Sequence, residues 1–190
     1  RVGRLDLALS SWQRRAERLP NDLPAWLGVE RTSQQLEEHD ARRQAARALL
    51  RLGQGAATDR GSRSLFLARD ARDRKLDVHV ALDDYLQACV ELDQPELRRE
   101  WLAFATTHSD DEFIFLALDT MRRQGDRLDD EEWLQSAQAS AHLQRPRRAL
   151  ESALQALERG ADVDGGVMGV LERVAPDVQA ALGLAVVNRL

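Results

Sequence analysis

The sequence predicts an all-α fold built from stacked pairs of helices, and three observations predict it. Ala, Leu, Arg, Glu and Asp dominate the composition, most of them good helix formers, whereas aromatic residues make up only 5%. β-Branched residues are sparse and never alternate with polar residues as they do in strands. The expected first helices of successive pairs begin near residues 23, 62, 95, 130 and 165, which places them 39, 33, 35 and 35 residues apart. A helical bundle without repeats has little reason to keep such a period.

The first three expected helices have recognisable boundaries. The first covers Arg4–Leu19 and carries its apolar residues on one face, and the chain turns at Pro20. The second covers Leu23–Glu38, with Asp22 as N-cap and a proline in the first turn, where it removes no internal hydrogen bond. The third covers Ala41–Leu52 and stops at a glycine.

The segment Gly53–Gly61, GQGAATDRG, is the longest glycine-rich stretch. A phosphate-binding loop would need a preceding strand and a following Gly-Lys-Ser/Thr, and both are missing from the sequence. We therefore interpret the segment as a long turn between helix pairs, with the next helix beginning at Ser62. This turn would also account for the one long interval in the period.

Further helices continue the pattern to the end of the sequence, giving about eleven in all. Asp77 is the expected cap of one of them, and Ser109 or Asp110 caps another. The helix near 111–124 departs from the pattern because its apolar run is broad enough to be buried on both sides. The expected spans are 62–74, 78–92, 95–107, 111–124, 130–143, 146–159, 165–174 and 176–188.

The stretch Glu132–Gly160 is the clearest single unit. Its first helix places small residues after Trp133 at turn-by-turn spacing, and its second places Ala149, Ala153 and Ala156 in the same way. Small residues let two facing helices approach closely. We therefore expect Ala149 and Ala156 to be almost completely buried between helices.

This unit resembles a tetratricopeptide repeat, whose period is about 34 residues. The pattern of Gly3, Ala8, Trp12 and Pro20 is similar to the second helix of that repeat, and Trp26 follows Pro20 at the family's spacing. The resemblance implies a right-handed superhelical solenoid that binds proteins and has no catalytic activity. The whole chain, 1–190, would be one such solenoid, with a half repeat at 1–22 and repeats at about 23–61, 62–94, 95–128, 129–163 and 164–190.

The composition limits the possible partners and the covalent chemistry. With a net charge of −5, the chain has no net basic surface for a phosphate backbone, so nucleic acid is not expected as a partner. The single cysteine, Cys89, cannot form an internal disulfide and is expected to be a buried small apolar residue. No apolar run approaches the length of a membrane span. Because the sequence starts at Arg1 without a methionine, we expect a fragment, and missing targeting signals carry no weight.

Catalytic, cofactor and metal sites have little support in the sequence. The four histidines are not paired at helical spacing or next to the cysteine, so we expect no metal and no cofactor. The acidic clusters at 110–112 and 129–132 lie at helix starts, where capping explains them. No Gly-x-Ser-x-Gly elbow is present. Four arginine doublets are interpreted as solvated faces that form exposed salt bridges, although some could line a groove for an acidic partner. An enzyme with a groove active site remains a rival hypothesis.

The inner, concave face of the solenoid is the expected binding surface, because solenoids bind their partners there. A carboxylate clamp of the family would need basic and amide side chains on successive first helices, and only Arg31 resembles one. A receptor for chaperone tails is therefore disfavoured. The candidate partner-binding residues are Leu27, Arg31, Gln34, Gln35, Leu134, Gln138 and Ala141.

The Arg/Ala/Leu-rich divergent repeats also resemble the periplasmic repeat region of bacterial outer-membrane exopolysaccharide exporters. That resemblance implies a periplasmic scaffold, tethered to the outer membrane by a β-barrel in the full-length protein, which recruits polysaccharide-modifying enzymes. The alternative is a cytoplasmic bacterial regulator or assembly chaperone built from the same repeats. A signal peptide and C-terminal β-strands in the full-length gene would favour export, whereas an attached DNA-binding or kinase domain would favour regulation.

Overall fold

The computed structural model describes residues 2–53, 55–161 and 166–174. Within these residues the chain is helical throughout its regular structure, with ten α-helices and no strand. The helices are α1 (Val2–Arg18), α2 (Leu23–Leu36), α3 (His39–Arg51), α4 (Ala57–Asp73), α5 (Val78–Leu92), α6 (Pro95–Thr107), α7 (Asp111–Arg123), α8 (Asp130–His142), α9 (Pro146–Arg159) and α10 (Met168–Arg173). The chain divides into two compact units, Arg1–Asp93 and Gln94–Leu190.

The first unit contains α1 to α5, and consecutive helices in it pack against each other. Its core cluster joins α1, α2 and α3 through buried residues that are mostly alanines, with Leu9, Trp26, Val29 and Leu49 as the larger members. Gly28 allows α1 and α2 to approach closely, because a Cβ at that position would overlap the ring of Trp12. A small residue on one helix therefore faces a large one on the next, as the repeat pattern predicts.

Helix α4 begins at Ala57, five residues earlier than the predicted Ser62. The long turn predicted for Gly53–Gly61 is therefore wrong over its second half. Gly61 is a buried helical residue, and a Cβ placed on it would lie 2.5 Å from Leu92 Cγ on α5. Gly61, which the sequence analysis placed in a turn, is therefore required for the close packing of α4 on α5. Since Ala56 gives no side-chain cap, the sequence carries no N-cap signal at the true start.

The second unit contains α6 to α10. Two of its helices, α7 and α8, are capped as predicted, because Asp110 accepts a hydrogen bond from Phe113 N and Asp129 forms a capping box with Glu132. The acidic clusters at these starts thus act in capping. The predicted burial of Ala149 and Ala156 is confirmed, since both are 0% exposed. They lie on α9, which packs on α8, and Val167 and Val170 complete the core cluster there.

The predicted fold class is confirmed: the described residues form an all-α array of helix pairs of the tetratricopeptide kind. The first helices of successive pairs start at residues 23, 57, 95 and 130, which gives intervals of 34, 38 and 35 residues. The long interval is therefore the second one, not the first. The helix predicted for 176–188 lies outside the described residues, and the handedness of the solenoid stays a prediction.

The interpretation of the arginine doublets as solvated is wrong for Arg98. Its side chain is only 2% exposed and forms two short hydrogen bonds with Asp126, whereas the neighbouring Arg99 is exposed on the surface. Cys89 is buried, as predicted. None of the described helices combines the length and the apolar character that crossing a bilayer requires.

Candidate functional site: a groove over Phe66 in the first unit

A groove of about 720 Å³ lies between α3 and α4 in the first unit. A smaller cleft of about 250 Å³ adjoins it on the side of α2, and the two share Arg42, Ser62 and Phe66. We call the combined surface the Phe66 groove. Its lining consists of Glu30, Gln34, Glu38, His39, Asp40, Arg42, Asp59, Ser62, Arg63, Leu65, Phe66, Arg69, Asp70, Asp73 and Arg74.

The apolar floor of the groove is formed by Leu65 and Phe66, both half-buried on α4. The Arg42 guanidinium lies over the Phe66 ring, with Cζ 3.9 Å from the ring centroid. The His39 ring stacks near the same phenyl ring, at a centroid distance of 6.4 Å and an interplanar angle of 26°. A guanidinium held over an aromatic face keeps its in-plane N–H donors available for a ligand.

Asp70 on α4 organises the wall of the groove. Its side chain is only 2% exposed, yet it receives a hydrogen bond from Arg43 Nε at 2.9 Å, and His39 Nδ1 lies 3.1 Å from its other carboxylate oxygen. Both partners come from α3, so this carboxylate fixes α3 against α4. A buried carboxylate needs such partners, since leaving it unpaired in the interior would be strongly unfavourable. The wall of the groove is therefore held together by contacts between α3 and α4.

The rim carries further ion pairs. Arg74 Nη1 donates to Asp40 Oδ1 at 2.7 Å, and this hydrogen bond holds the pKa of the Asp40 carboxyl below its usual value. In the smaller cleft, Arg63 donates two hydrogen bonds to Glu30, at 2.8 and 3.0 Å, which connects α4 to α2. These bonds hold the side chains of the rim in defined positions, which favours recognition of a ligand with a complementary shape.

The predicted binding residues of the first unit have different environments. Gln34 lines the smaller cleft of the groove. Arg31 and Gln35 are exposed on α2, outside the groove lining. Leu27 is half-buried and packs against the core cluster of α1 to α3. The structure thus brings one of these four residues, Gln34, into a concave surface.

The predicted binding residues of the second unit are mostly packing residues. Leu134 and Ala141 pack against the core cluster of α8 and α9, and Leu134 fills the space beside Gly166 that a Cβ would occupy. Gln138 is exposed on α8. These three residues belong to a different compact unit from Arg31 and Gln34, so each set is considered by itself.

Sequence reasoning missed the centre of the groove. His39, Arg42 and Phe66 form that centre, and none of them is among the binding residues predicted from the sequence. Phe66 lies 24 residues after Arg42, so only the packing of α3 on α4 brings them together. The available signal was a basic doublet at the start of one helix followed, one helix later, by an aromatic residue flanked by charges.

The second unit has a smaller cleft of about 210 Å³ between α7, α8 and α9, with Trp133 in its lining. Its charged side chains are paired within their own helices: Asp119 with Arg122 at 2.7 Å, and Glu151 with Arg148 at 3.4 Å. The hydroxyls of Ser136 and Ser152 lie 3.0 Å apart at its base. The smaller volume and the local pairing make it the weaker candidate.

No set of three or more metal-ligating side chains is close enough to hold an ion in the described part of the chain. His39 and His142 each contact one aspartate, Asp70 and Asp111 respectively, and these contacts are ion pairs or hydrogen bonds of helix packing.

Comparison with known proteins gives similarity of fold at low sequence identity. No protein-family model and no curated protein sequence matches the chain. Among solved structures, it is similar to YrrB, a TPR protein with an unusual peptide-binding site (16% identity, 85% of this chain and 80% of that one, TM-score 0.45). It is also similar to MamA (12% identity, 83% of this chain and 89% of that one, TM-score 0.44). A third similar structure is the type IV pilus biogenesis factor PilW (12% identity, 88% of this chain and 90% of that one, TM-score 0.40). At these identities and scores, the repeat assignment rests on the helix spacing and packing of the chain itself.

Proposed function

We propose that this chain is a non-catalytic protein-interaction scaffold and that the Phe66 groove binds a segment of its protein partner. The observation that carries the proposal is a large groove with an apolar floor, a guanidinium held over an aromatic ring, and a rim fixed by ion pairs. A few polar groups placed around an apolar surface are the usual composition of a binding site.

Two carboxylates of the groove, Asp40 and Asp70, are engaged in ion pairs within the protein. A general acid at neutral pH needs a raised carboxyl pKa. The pKa of Asp40, on the rim, is held below its usual value because Arg74 donates a hydrogen bond to the carboxylate. Asp70 is occupied by Arg43 and His39, which hold it in a structural role. The enzyme hypothesis predicts hydrolase activity on polysaccharide, and we expect none.

We further propose that the scaffold works in the bacterial periplasm, as part of an outer-membrane exopolysaccharide export protein that recruits polysaccharide-modifying enzymes. The support is the resemblance of its Arg/Ala/Leu-rich divergent repeats to those exporters, with the Pel exporter as the member it resembles. The alternative location is the cytoplasm, where the same repeats would serve a regulator or an assembly chaperone.

The experiment compares the chain with a groove-blocked variant. Ser62 is exposed and lines both parts of the groove, so Ser62→Trp fills the groove without touching the core. The matched control is Ser11→Trp, an exposed serine on α1 outside the groove. Arg31→Glu is a second control, on the surface first predicted from the sequence.

Immobilised chain and variants are incubated separately with periplasmic and cytosolic bacterial extracts, and each captured protein is purified and titrated against every variant. We expect a periplasmic protein whose affinity falls at least about tenfold with Ser62→Trp and is unchanged with Ser11→Trp. A partner whose binding is lost with Arg31→Glu but not with Ser62→Trp would contradict the proposal that the groove is the binding site. A partner found only in the cytosolic extract would contradict the proposed periplasmic location. Circular dichroism confirms that each variant is folded.

A further inference from the structure

Some charged side chains of the Phe66 groove form ion pairs within the protein, and others do not. Arg63, Arg74, Asp40 and Asp70 all have opposite charges within 3 Å. By contrast, Arg42, Glu38 and Asp59 form no ion pair within residues 2–53, 55–161 and 166–174. Each of these three charges faces the groove, where a ligand can reach it.

The three unpaired charges are distributed over the two parts of the groove. Glu38 lines the large part only, Asp59 lines the small part only, and Arg42 lines both. The sequence of charges is therefore negative, positive, negative, with the positive charge over Phe66. A ligand with the opposite order would pair all three, whereas a ligand with the same order would be repelled at each position.

From this order we propose that the groove binds an extended polypeptide segment with one acidic side chain between two basic ones, and an apolar side chain next to the acidic one. The carboxylate accepts hydrogen bonds from the Arg42 guanidinium, and the basic side chains lie beside Glu38 and Asp59. The apolar side chain packs on Leu65 and Phe66. This inference rests on the proposed function, because it names the chemistry of the partner.

An extended chain fits this arrangement better than a small molecule does. Small-molecule sites gather their polar groups around one point, whereas these three charges come from the residue before α3, from α3 and from α4. An extended segment presents every second side chain to the same surface, at intervals of about 6.6 Å. Successive side chains can therefore contact successive charges along the groove. The two carboxylates also oppose the approach of a nucleic-acid backbone.

The test uses three peptides of about nine residues, which reach about 30 Å when extended. The matched peptide has Glu at its centre next to Leu, with one Lys near each end. The inverted peptide has Lys at the centre and Glu near each end, and the neutral peptide has Gln at all three positions. Binding to the 190-residue chain is measured by fluorescence anisotropy at low and at physiological salt.

We expect the matched peptide to bind about tenfold more tightly than the inverted one, since three partly exposed ion pairs replace three repulsions. The preference should shrink as salt is added, because exposed charges are screened. Arg42→Gln and the combined variant Glu38→Gln/Asp59→Asn should each reduce the preference for the matched peptide over the neutral peptide and over the inverted peptide. Arg31→Gln, on the exposed face of α2, should change neither preference.

The outcomes separate this inference from the proposed function. Equal binding of the three peptides, all weakened by Ser62→Trp, would overturn the charge order and leave the groove as a binding site. Absence of binding by the matched peptide would also overturn the inference, whereas the proposed function depends on the captured protein partner. Dimerisation of the free chain that Ser62→Trp abolishes would show a second copy as the occupant, and this too would overturn the inference.

Discussion

Arg98 and Asp126 form a bidentate ion pair in which the arginine is almost completely buried: Nε lies 2.6 Å from Oδ2, and Nη2 lies 2.7 Å from Oδ1. The pair joins α6 to the turn between α7 and α8. Arg99, the next residue, is half-exposed and lies 3.4 Å from Glu132. The two adjacent arginines therefore have very different roles in stability.

Arg98→Met should destabilise the protein by about 3 kcal/mol, because it leaves a partly buried carboxylate without its partner. Arg99→Met is the matched control and should change the free energy of unfolding by less than about 1 kcal/mol, as exposed ion pairs do. Urea denaturation of both variants measures the difference. Equal effects would show that the buried pair contributes no more than a surface pair.

The stability of the protein should fall as the pH drops below about 4. The hydrogen bonds from Arg98 hold the pKa of Asp126 below its usual value, and Arg74 does the same for Asp40. A carboxyl whose pKa is lowered by folding stabilises the folded state above its usual pKa, and that stabilisation is lost as the pH falls through the folded pKa.

Asp84 acts in the opposite sense, because burial raises its pKa despite the hydrogen bonds from Arg47. Its contribution favours the folded state at low pH and is lost as the pH rises through the folded pKa.

The Asp126 contribution is isolated by comparing the chain with Asp126→Asn in urea at pH 7 and at pH 3. We expect their difference in unfolding free energy to shrink at pH 3, and a constant difference would contradict this assignment.

Gly28→Ala should destabilise the first unit, because the added methyl group would overlap the Trp12 ring at the contact of α1 and α2. Overpacking of this kind costs about 1–3 kcal/mol. Gly169→Ala is the control, since a Cβ at that helical position meets no atom within 4 Å. Thermal denaturation should show a lower midpoint for Gly28→Ala and an unchanged or higher one for Gly169→Ala. The reverse order would show that the helices do not approach closely at Gly28.

Ala149→Glu and Ala156→Glu should each destabilise the second unit strongly, by about 3 kcal/mol or more, because each places a carboxylate without a partner in a tight helix contact. Both alanines are 0% exposed. Ala103→Glu on α6 is the matched control, since Ala103 is exposed on a helix of the same unit. Unchanged thermal stability of both buried variants would contradict the helix-pair packing.

Local signals in the sequence were sufficient to predict the helices and much of their packing. Asp22, Asp77, Asp110 and Asp129 all act as the N-caps that their positions indicate. An acidic residue directly before an amphipathic run satisfies free N–H groups within one turn, so its effect is local. The start of α4 was misplaced because Ala56 offers no cap.

The groove could not be predicted from such signals because it depends on contacts between helices distant in sequence. Arg42 meets Phe66, and Arg43 meets Asp70, only after α3 packs on α4. The predicted concave residues came from the family pattern, and of those in the first unit only Gln34 lines the groove. Which charges remain available to a ligand depends on which are already paired, and pairing is a property of the folded chain.

The most direct test of the central claim is hydrogen–deuterium exchange of the chain with its captured partner, or with the charge-matched peptide. If the Phe66 groove is the binding site, amide protection should increase around the start of α3 and along α4, in segments containing Arg42, Ser62 and Phe66, and Ser62→Trp should abolish the increase. Protection centred on Arg31 and Gln35, or confined to the second unit, with α3 and α4 unchanged, would contradict the account.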